Sequence, residues 1–421
     1  MERNTRRMAT LPLTFGPAVG EADFQSIQSR MALDFCKWDS QIGDASTLFR
    51  QPVLIGPGTW LKLRQMAENP AAELMAAEEE LIHRPELYSI LGLPGPLRSL
   101  LEQAHKHELT PCAVRTLRFD FHYTTDGWRV SEVNSDVPGG YTEASCFTKL
   151  MCDRYPGTRS AGNPATEWAD AMFSAVGRLG NVALLSAPGF LEDQQVTTFL
   201  AGQLEARQVK TFLLHHPSQL KWKWERARIL SQGKEIAIDA IVRFYQGEWL
   251  AKLPCNCGWK WLFLGGRTLV SNPAVALLTE SKRFPLTWDT LSSKMNTWKV
   301  LLPECCEPGE GSWKAGDSWV LKAAFSNTGD DVYMRESMDR ETWAKLLRSV
   351  ERHPERWIVQ RRFDAIPIPS HPCPIYPCTG VYTINGRAAG VYARASVRRV
   401  TDYMAMDVAL LIDEGRSAEQ G

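Results

Sequence analysis

Arg118, Asp120, Glu132 and Asn134 stand at alternating positions on either side of a short turn, in Arg118-Phe-Asp-Phe-His-Tyr-Thr-Thr-Asp-Gly-Trp-Arg-Val-Ser-Glu-Val-Asn134. Period-two alternation is the pattern of a strand, whose side chains point to opposite faces in turn. Leu117, Phe119, Phe121 and Tyr123 then share one face, and Arg118, Asp120 and His122 the other. Thr125-Asp126-Gly127 suits a three-residue hairpin loop with glycine at the left-handed position. Such a loop pairs Thr124 with Trp128, Asp120 with Glu132 and Arg118 with Asn134. Two carboxylates and an amide oxygen are hard ligands, the kind Mg2+ accepts alongside nucleotide phosphates. The same pattern also fits a solvated hairpin face with an ordinary cross-strand ion pair.

These residues resemble the signature of the glutathionylspermidine synthetase family, which belongs to the circularly permuted ATP-grasp ligases. Its pieces here are Arg118-Phe-Asp120, Glu132-Val-Asn134-Ser-Asp136 and Thr142-Glu143-Ala144-Ser145. The resemblance implies that Asp120, Glu132 and Asn134 bind Mg2+ bridging the phosphates of ATP, and that Arg118 stabilises charge on the transferred phosphoryl group. Further similar segments follow in order, up to about residue 415. Glu192-Asp193 opens a helical run, and its Glu is implied to lie near the substrate amine. Lys282, Lys322 in Trp319-Val-Leu-Lys322, and Gln360 in Trp357-Ile-Val-Gln360 are implied ATP contacts. Arg394 in the closing hairpin 380–394 is implied to face the phosphates.

The implied activity is an ATP-dependent carboxylate–amine ligase acting on a small peptide or amino-acid-like carboxylate. It would form an amide through an acyl-phosphate and release ADP and phosphate. Asp136, Glu143 and Glu192 are the candidates for guiding a cationic amine. A phosphotransferase and a non-catalytic nucleotide-binding protein remain as alternatives on the same scaffold. Where synthetases of the family place small hydroxyl residues against glutathione, this chain has Val137-Pro-Gly-Gly140. The loop after Lys322 carries Gly329-Asp-Asp331, with one glycine and no basic residue.

The elements that must hold these residues can be read coarsely. Residues 1–111 read as mostly helical, with apolar residues at helical spacing in 72–82 and 96–105. Residues 112–164 contain the hairpin. Residues 165–275 alternate helices with the apolar runs 181–186, 209–215 and 236–245, the pattern of an α/β substrate domain. Residues 276–421 begin helical and become strand-rich, as a nucleotide-binding domain would. Asn385-Gly386 is a strong hairpin turn signal. The expected fold is thus α+β and α/β, a circularly permuted ATP-grasp with a pre-ATP-grasp α/β domain and a helical N-terminal region. Lys322 lies in the apolar run Trp-Val-Leu-Lys-Ala-Ala-Phe, so it must either snorkel or meet an anion.

The chain has 421 residues, of which 48 are basic and 48 acidic, and this balance argues against a nucleic-acid footprint. Met1–Thr10 is polar and arginine-rich without an apolar run, and no long apolar stretch follows. No membrane partner and a cytoplasmic location are therefore expected. Ten cysteines occur as C-x-C, C-C and C-x4-C pairs and singly, which is not a zinc-knuckle pattern. Cys146 reads as an inert buried thiol, and Asp407 as a cap or a solvent-facing residue.

Overall fold

The computed structural model describes residues 11–42, 45–103, 109–264, 266–310, 313–315, 318–326 and 331–416. At its centre is a five-stranded antiparallel sheet, in the order Met406–Val408, Arg387–Ser396, Tyr376–Ile384, Thr116–Thr124, Gly127–Asn134. Asn385 and Gly386 both have positive φ, +48° and +79°, and form the expected tight turn between the two long strands. Leu117, Phe119, Phe121 and Val381 are fully buried on one face of this sheet. They share a core with Leu63, Ala67, Ala71 and Leu74 of the helix Pro57–Leu81. Covering that face leaves the opposite face of the hairpin for polar chemistry.

A smaller antiparallel sheet runs Cys305–Cys306, Trp357–Arg361, Trp319–Ala323, Val332–Met334. Leu321 and Val359 point to one side, against Trp313 and against Trp343 and Val350 of the helix Arg340–Arg352. By strand alternation Val320, Lys322, Ile358 and Gln360 point to the other side, toward the central sheet. The cleft between the two sheets is therefore a consequence of period two in both.

A parallel sheet, Leu269–Ser271, Ala240–Phe244, Asn181–Ser186, Lys210–Leu214, carries the helices Pro164–Val176 and Leu191–Glu205 on one face. The single strand expected over 236–245 is two. Lys234–Ala237 belongs to a separate three-stranded antiparallel sheet, and Ala240–Phe244 to the parallel one. Asp239 breaks the run, because its carboxylate accepts the Asn181 N–H at 2.8 Å. The N-terminal region has the helices Glu21–Asp34, Pro57–Leu81 and Gly95–Glu102, the last two over the expected spans 72–82 and 96–105, but also four short strands among the described residues. Leu13–Phe15 and Val53–Ile55 form a further sheet with Leu410–Asp413 and Thr158–Ser160, joining segments from near the two ends of the described chain. Strands of three residues are too short to show a period. No helix among the described residues is long and apolar enough to cross a membrane.

Candidate active site

The hairpin turns one residue sooner than its loop sequence suggests: Thr124 pairs with Gly127, not with Trp128. The Thr124 hydroxyl draws the turn in, donating to the Gly127 carbonyl at 2.7 Å and accepting from the Asp126 N–H at 3.1 Å. A bulge at Ser131 then restores the register, so Asp120 faces Glu132 and Arg118 faces Asn134 as expected. The bulge also equips the site. The Ser131 carbonyl accepts Lys322 Nζ at 2.9 Å, and its hydroxyl donates to the Asp120 carbonyl at 3.2 Å.

Asp120 is 2% exposed and sits among cations. Arg118 grips it with Nε at 2.8 Å and Nη2 at 3.1 Å, while Arg394 Nη2 and Asn134 Nδ2 each approach at 3.4 Å. Burial alone would raise this carboxyl, but the charge and hydrogen bonds of Arg118 outweigh it and hold it below its ordinary value. Glu132 follows the same balance, with burial opposed chiefly by Lys282, whose Nζ lies 3.4 Å away. Lys282 also donates to the Ser326 carbonyl at 2.7 Å. Burial pulls Lys322 below its ordinary value, and Glu132 only partly compensates. His122 is pushed down to about 4 by burial, so it is neutral at pH 7, with its ring 5.2 Å from that of Phe363.

Asp120, Glu132, Lys322, Gln360 and Arg394 line one cleft of ≈ 750 Å³, counting its open mouth. Val320, Met334 and Phe363 give it an apolar wall. Gln360 is 4% exposed, and its Nε2 is buried without a hydrogen-bond partner. A buried orphan donor on an apolar wall suits the edge of a planar base. Among the described residues no three His, Cys, Asp or Glu side chains are grouped to hold a metal by themselves. Two carboxylates and one amide oxygen instead fit a hard cation that takes its remaining ligands from phosphate and water. The donor set thus fits Mg2+ with a nucleoside triphosphate, with Asp120, Glu132 and Asn134 on the cation.

Other expected site residues fall elsewhere. Arg118 does not line the cleft: beyond Asp120, its Nη1 donates to the Gly139 carbonyl at 2.7 Å, and its guanidinium stacks 5.1 Å over Tyr392. Asp136, expected to guide an amine, is instead buried in an ion pair with Arg243 and accepts the Gly247 N–H at 2.9 Å. The strand ends at Asn134, so Asp136 no longer follows its alternation. Glu143 begins a π-helical turn and is buried against Lys37 Nζ at 2.6 Å; burial pushes it up to about 7 although Lys37 opposes this. Glu192 opens the helix Leu191–Glu205 with its carboxyl against Gly139, where a Cβ would lie 3.6 Å from Oε1. Asp407, read as solvent-facing, is buried and accepts Lys37 Nζ at 2.9 Å and the Tyr392 hydroxyl at 2.7 Å. The ten cysteines are free thiols, and burial pushes Cys146 up to about 12.

Sequence reasoning missed Glu280, which organises the end of the hairpin. Its Oε2 accepts the N–H groups of Ser135 and Asp136 at 2.6 and 2.8 Å. Burial, then the charge of Asp136, pushes it from 4.5 up to about 8. The native state therefore prefers it protonated, and its ionisation penalty grows as pH rises from 4.5 to about 8. Glu280→Gln keeps an oxygen for both N–H groups. Its stability advantage over wild type should open across that pH window, reaching on the order of 1–3 kcal/mol in urea melts at pH 8. A constant difference from pH 5 to pH 8 would contradict this account.

The family model for the glutathionylspermidine synthase pre-ATP-grasp region matches residues 60–413. The chain belongs to that family. A solved structure with the same fold is a glutathione synthetase-like effector, GSS30, from Globodera pallida, in its apo form. It is 11% identical, with a TM-score of 0.63, and the match covers 94% of this chain and 98% of that one. No curated protein matches the chain. Family membership agrees with the mixed α/β architecture.

Proposed function

We propose that the protein is an ATP-dependent carboxylate–amine ligase on a circularly permuted ATP-grasp scaffold. The observation that carries this reading is the convergence on one cleft of Asp120, Glu132, Lys322, Gln360 and Arg394, with Asn134 and Lys282 in contact with the two carboxylates. Gln360 would meet the base, and Lys322 and Lys282 the phosphates. Asp120, Glu132 and Asn134 would hold a Mg2+ ion, which would supply positive charge against the phosphates. Arg394 would face the transferred phosphoryl group. A substrate carboxylate would take that group as an acyl-phosphate, which an amine would open to an amide with loss of phosphate. Such catalysis is mainly positioning and charge neutralisation. Gly139 and Gly140 pack against Arg118 and Tyr392. A Cβ on Gly140, whose φ is +92°, would stand 2.6 Å from the Tyr392 ring. The loop beyond Lys322 includes residues 327–330, which lie outside the described residues.

Binding to the native state raises its melting temperature by mass action, so Mg2+-ATP should shift wild type upward by several degrees. The shift should disappear in Glu132→Gln/Asn134→Ala and without the metal. A folded wild type with no shift would remove the nucleotide from this cleft. Products then separate the remaining alternatives: a ligase releases ADP and free phosphate with an amide, and a phosphotransferase keeps the phosphate on its product. A purely nucleotide-binding protein shows the shift without ADP release.

A further inference from the structure

Away from the cleft, the three-stranded antiparallel sheet Lys221–Lys223, Arg226–Ser231, Lys234–Ala237 has one face in the core and one in solvent. Ala227 and Ile229 are buried on the inner face, and Trp222 packs there against Trp261, with ring centroids 6.3 Å apart. Strand alternation then turns Lys221, Lys223, Arg226 and Arg228 outward together. The register sets them opposite one another as two like-charged pairs, Lys221 with Arg228 and Lys223 with Arg226. Like charges directly across a strand pair are destabilising. Glu235 is the carboxylate of that face, and it lies 3.8 Å from Arg228 Nη1. Lys221, Lys223 and Arg226 have no ion pair among the described residues. The excess is local, since the whole chain carries 48 basic and 48 acidic residues.

The same sheet carries two apolar side chains into solvent. Trp224, at the tip of its first hairpin, is 82% exposed, and Leu230, on the outward face, is 70% exposed. Trp224 and Glu225 form a two-residue turn in which both have positive φ, +55° and +62°. Such turns select Asn-Gly, and a bulky residue at positive φ is strained. The tip is nevertheless held in place. The Arg267 N–H bonds the Glu225 carbonyl at 2.7 Å, and Arg267 Nε meets the Glu225 carboxylate at 2.9 Å. The fold thus presents a strained aromatic tip beside four mutually repelling cations, and neither arrangement helps the chain fold. An anionic bilayer answers both. Headgroup phosphates and carboxylates meet the cations, and the interface takes the indole and the leucine beside them. A single-stranded nucleic acid would need aromatic platforms among the cations to stack its bases. The outward face holds no aromatic side chain, and Trp222 is turned inward.

We propose that this sheet docks the protein on an anionic membrane surface, with Trp224 and Leu230 in the interface and Lys221, Lys223, Arg226 and Arg228 against the headgroups. The expectation of no membrane partner rested on apolar runs, which register spanning and not surface contact. None of these side chains lines the cleft, so the docking is independent of the ligase reading.

Sedimentation with vesicles of phosphatidylcholine and phosphatidylserine in equal parts should carry down the wild-type protein at low salt, and vesicles of phosphatidylcholine alone should not. Each basic residue near such a surface is worth about fivefold in partitioning, so Lys221→Gln/Lys223→Gln should lower it on the order of 25-fold. Trp224→Asn should lower it on the order of tenfold. Asparagine suits the turn better than tryptophan, and the glutamines remove like-charged pairs, so the urea midpoints of both variants should equal or exceed that of wild type. Loss of vesicle binding without loss of stability supports the proposal. Equal sedimentation with the two vesicles, or binding untouched by Trp224→Asn, would overturn it. So would a preference for oligothymidylate or polyglutamate over the anionic vesicles. Loss of binding that comes with lowered midpoints makes these residues structural and overturns it as well.

Discussion

Lys322→Met should abolish the Mg2+-ATP shift while leaving the unliganded protein at least as stable as wild type. The two effects have opposite signs because one interaction is absent until the ligand arrives. In the free protein Lys322 is 7% exposed, and its ammonium has the Ser131 carbonyl at 2.9 Å as its hydrogen-bond acceptor. Burial depresses its pKa despite Glu132, so the native state pays to keep it charged. A group of this kind lowers stability fully at pH below its folded pKa, and the penalty fades as pH rises toward its ordinary value of 10.5. Methionine fills similar space without the charge. The stability gain of Lys322→Met should therefore be largest near pH 7 and shrink toward pH 10. The loss of a phosphate contact should weaken ATP binding by on the order of 100-fold, as expected for a buried charge-assisted hydrogen bond. Urea melts across pH and thermal shifts with Mg2+-ATP measure the two effects. A variant that is both less stable and still nucleotide-responsive would make Lys322 a structural residue.

The legible parts of this site are those governed by strand parity. Arg118, Asp120, Glu132 and Asn134 could be paired from spacing, and Lys322 and Gln360 share a face with Val320 and Ile358 for the same reason. The pairing survived a wrong turn length because the one-residue error at Thr124 and the bulge at Ser131 cancel. Neither deviation leaves a mark in the alternating pattern, since Ser131 looks like any outward residue. Parity stops where the strand does, so it could not show that Asp136, two residues beyond Asn134, pairs with Arg243. The burial of Glu143 against Lys37 was not legible either, because a π-turn obeys neither period. Lys37, Asp407 and Glu280 were invisible for another reason. Their partners are distant in the chain, and a charged residue in sequence does not reveal whether it will be clamped in a core. The split of 236–245 and the three-residue strands at the N-terminus failed on length, being too short for any periodic signal.

The two arginines around Asp120 should separate by what their removal costs. Arg118 spends Nε and Nη2 on Asp120 and Nη1 on Gly139, and does not line the cleft. Arg394 lines the cleft and touches Asp120 through Nη2 at 3.4 Å. Arg118 is thus the positioning residue: it fixes the Asp120 carboxylate and the Gly139 carbonyl for others to use. Arg394→Met leaves Asp120 gripped by Arg118, so stability should fall by less than about 1 kcal/mol. Turnover should nonetheless fall by about 10^2 to 10^3, the scale set by removing one group that stabilises transition-state charge. Arg118→Met strands a buried carboxylate, and breaking such a pair costs about 3–5 kcal/mol. Its loss of ADP release should therefore come with a lowered urea midpoint, and Arg118→Met/Asp120→Asn should recover much of the stability but no turnover. Melts and ADP-release assays on the three variants decide the matter. If Arg118→Met melts like wild type while Arg394→Met keeps its turnover, the roles are exchanged, and Arg118 moves onto the phosphoryl group when nucleotide binds.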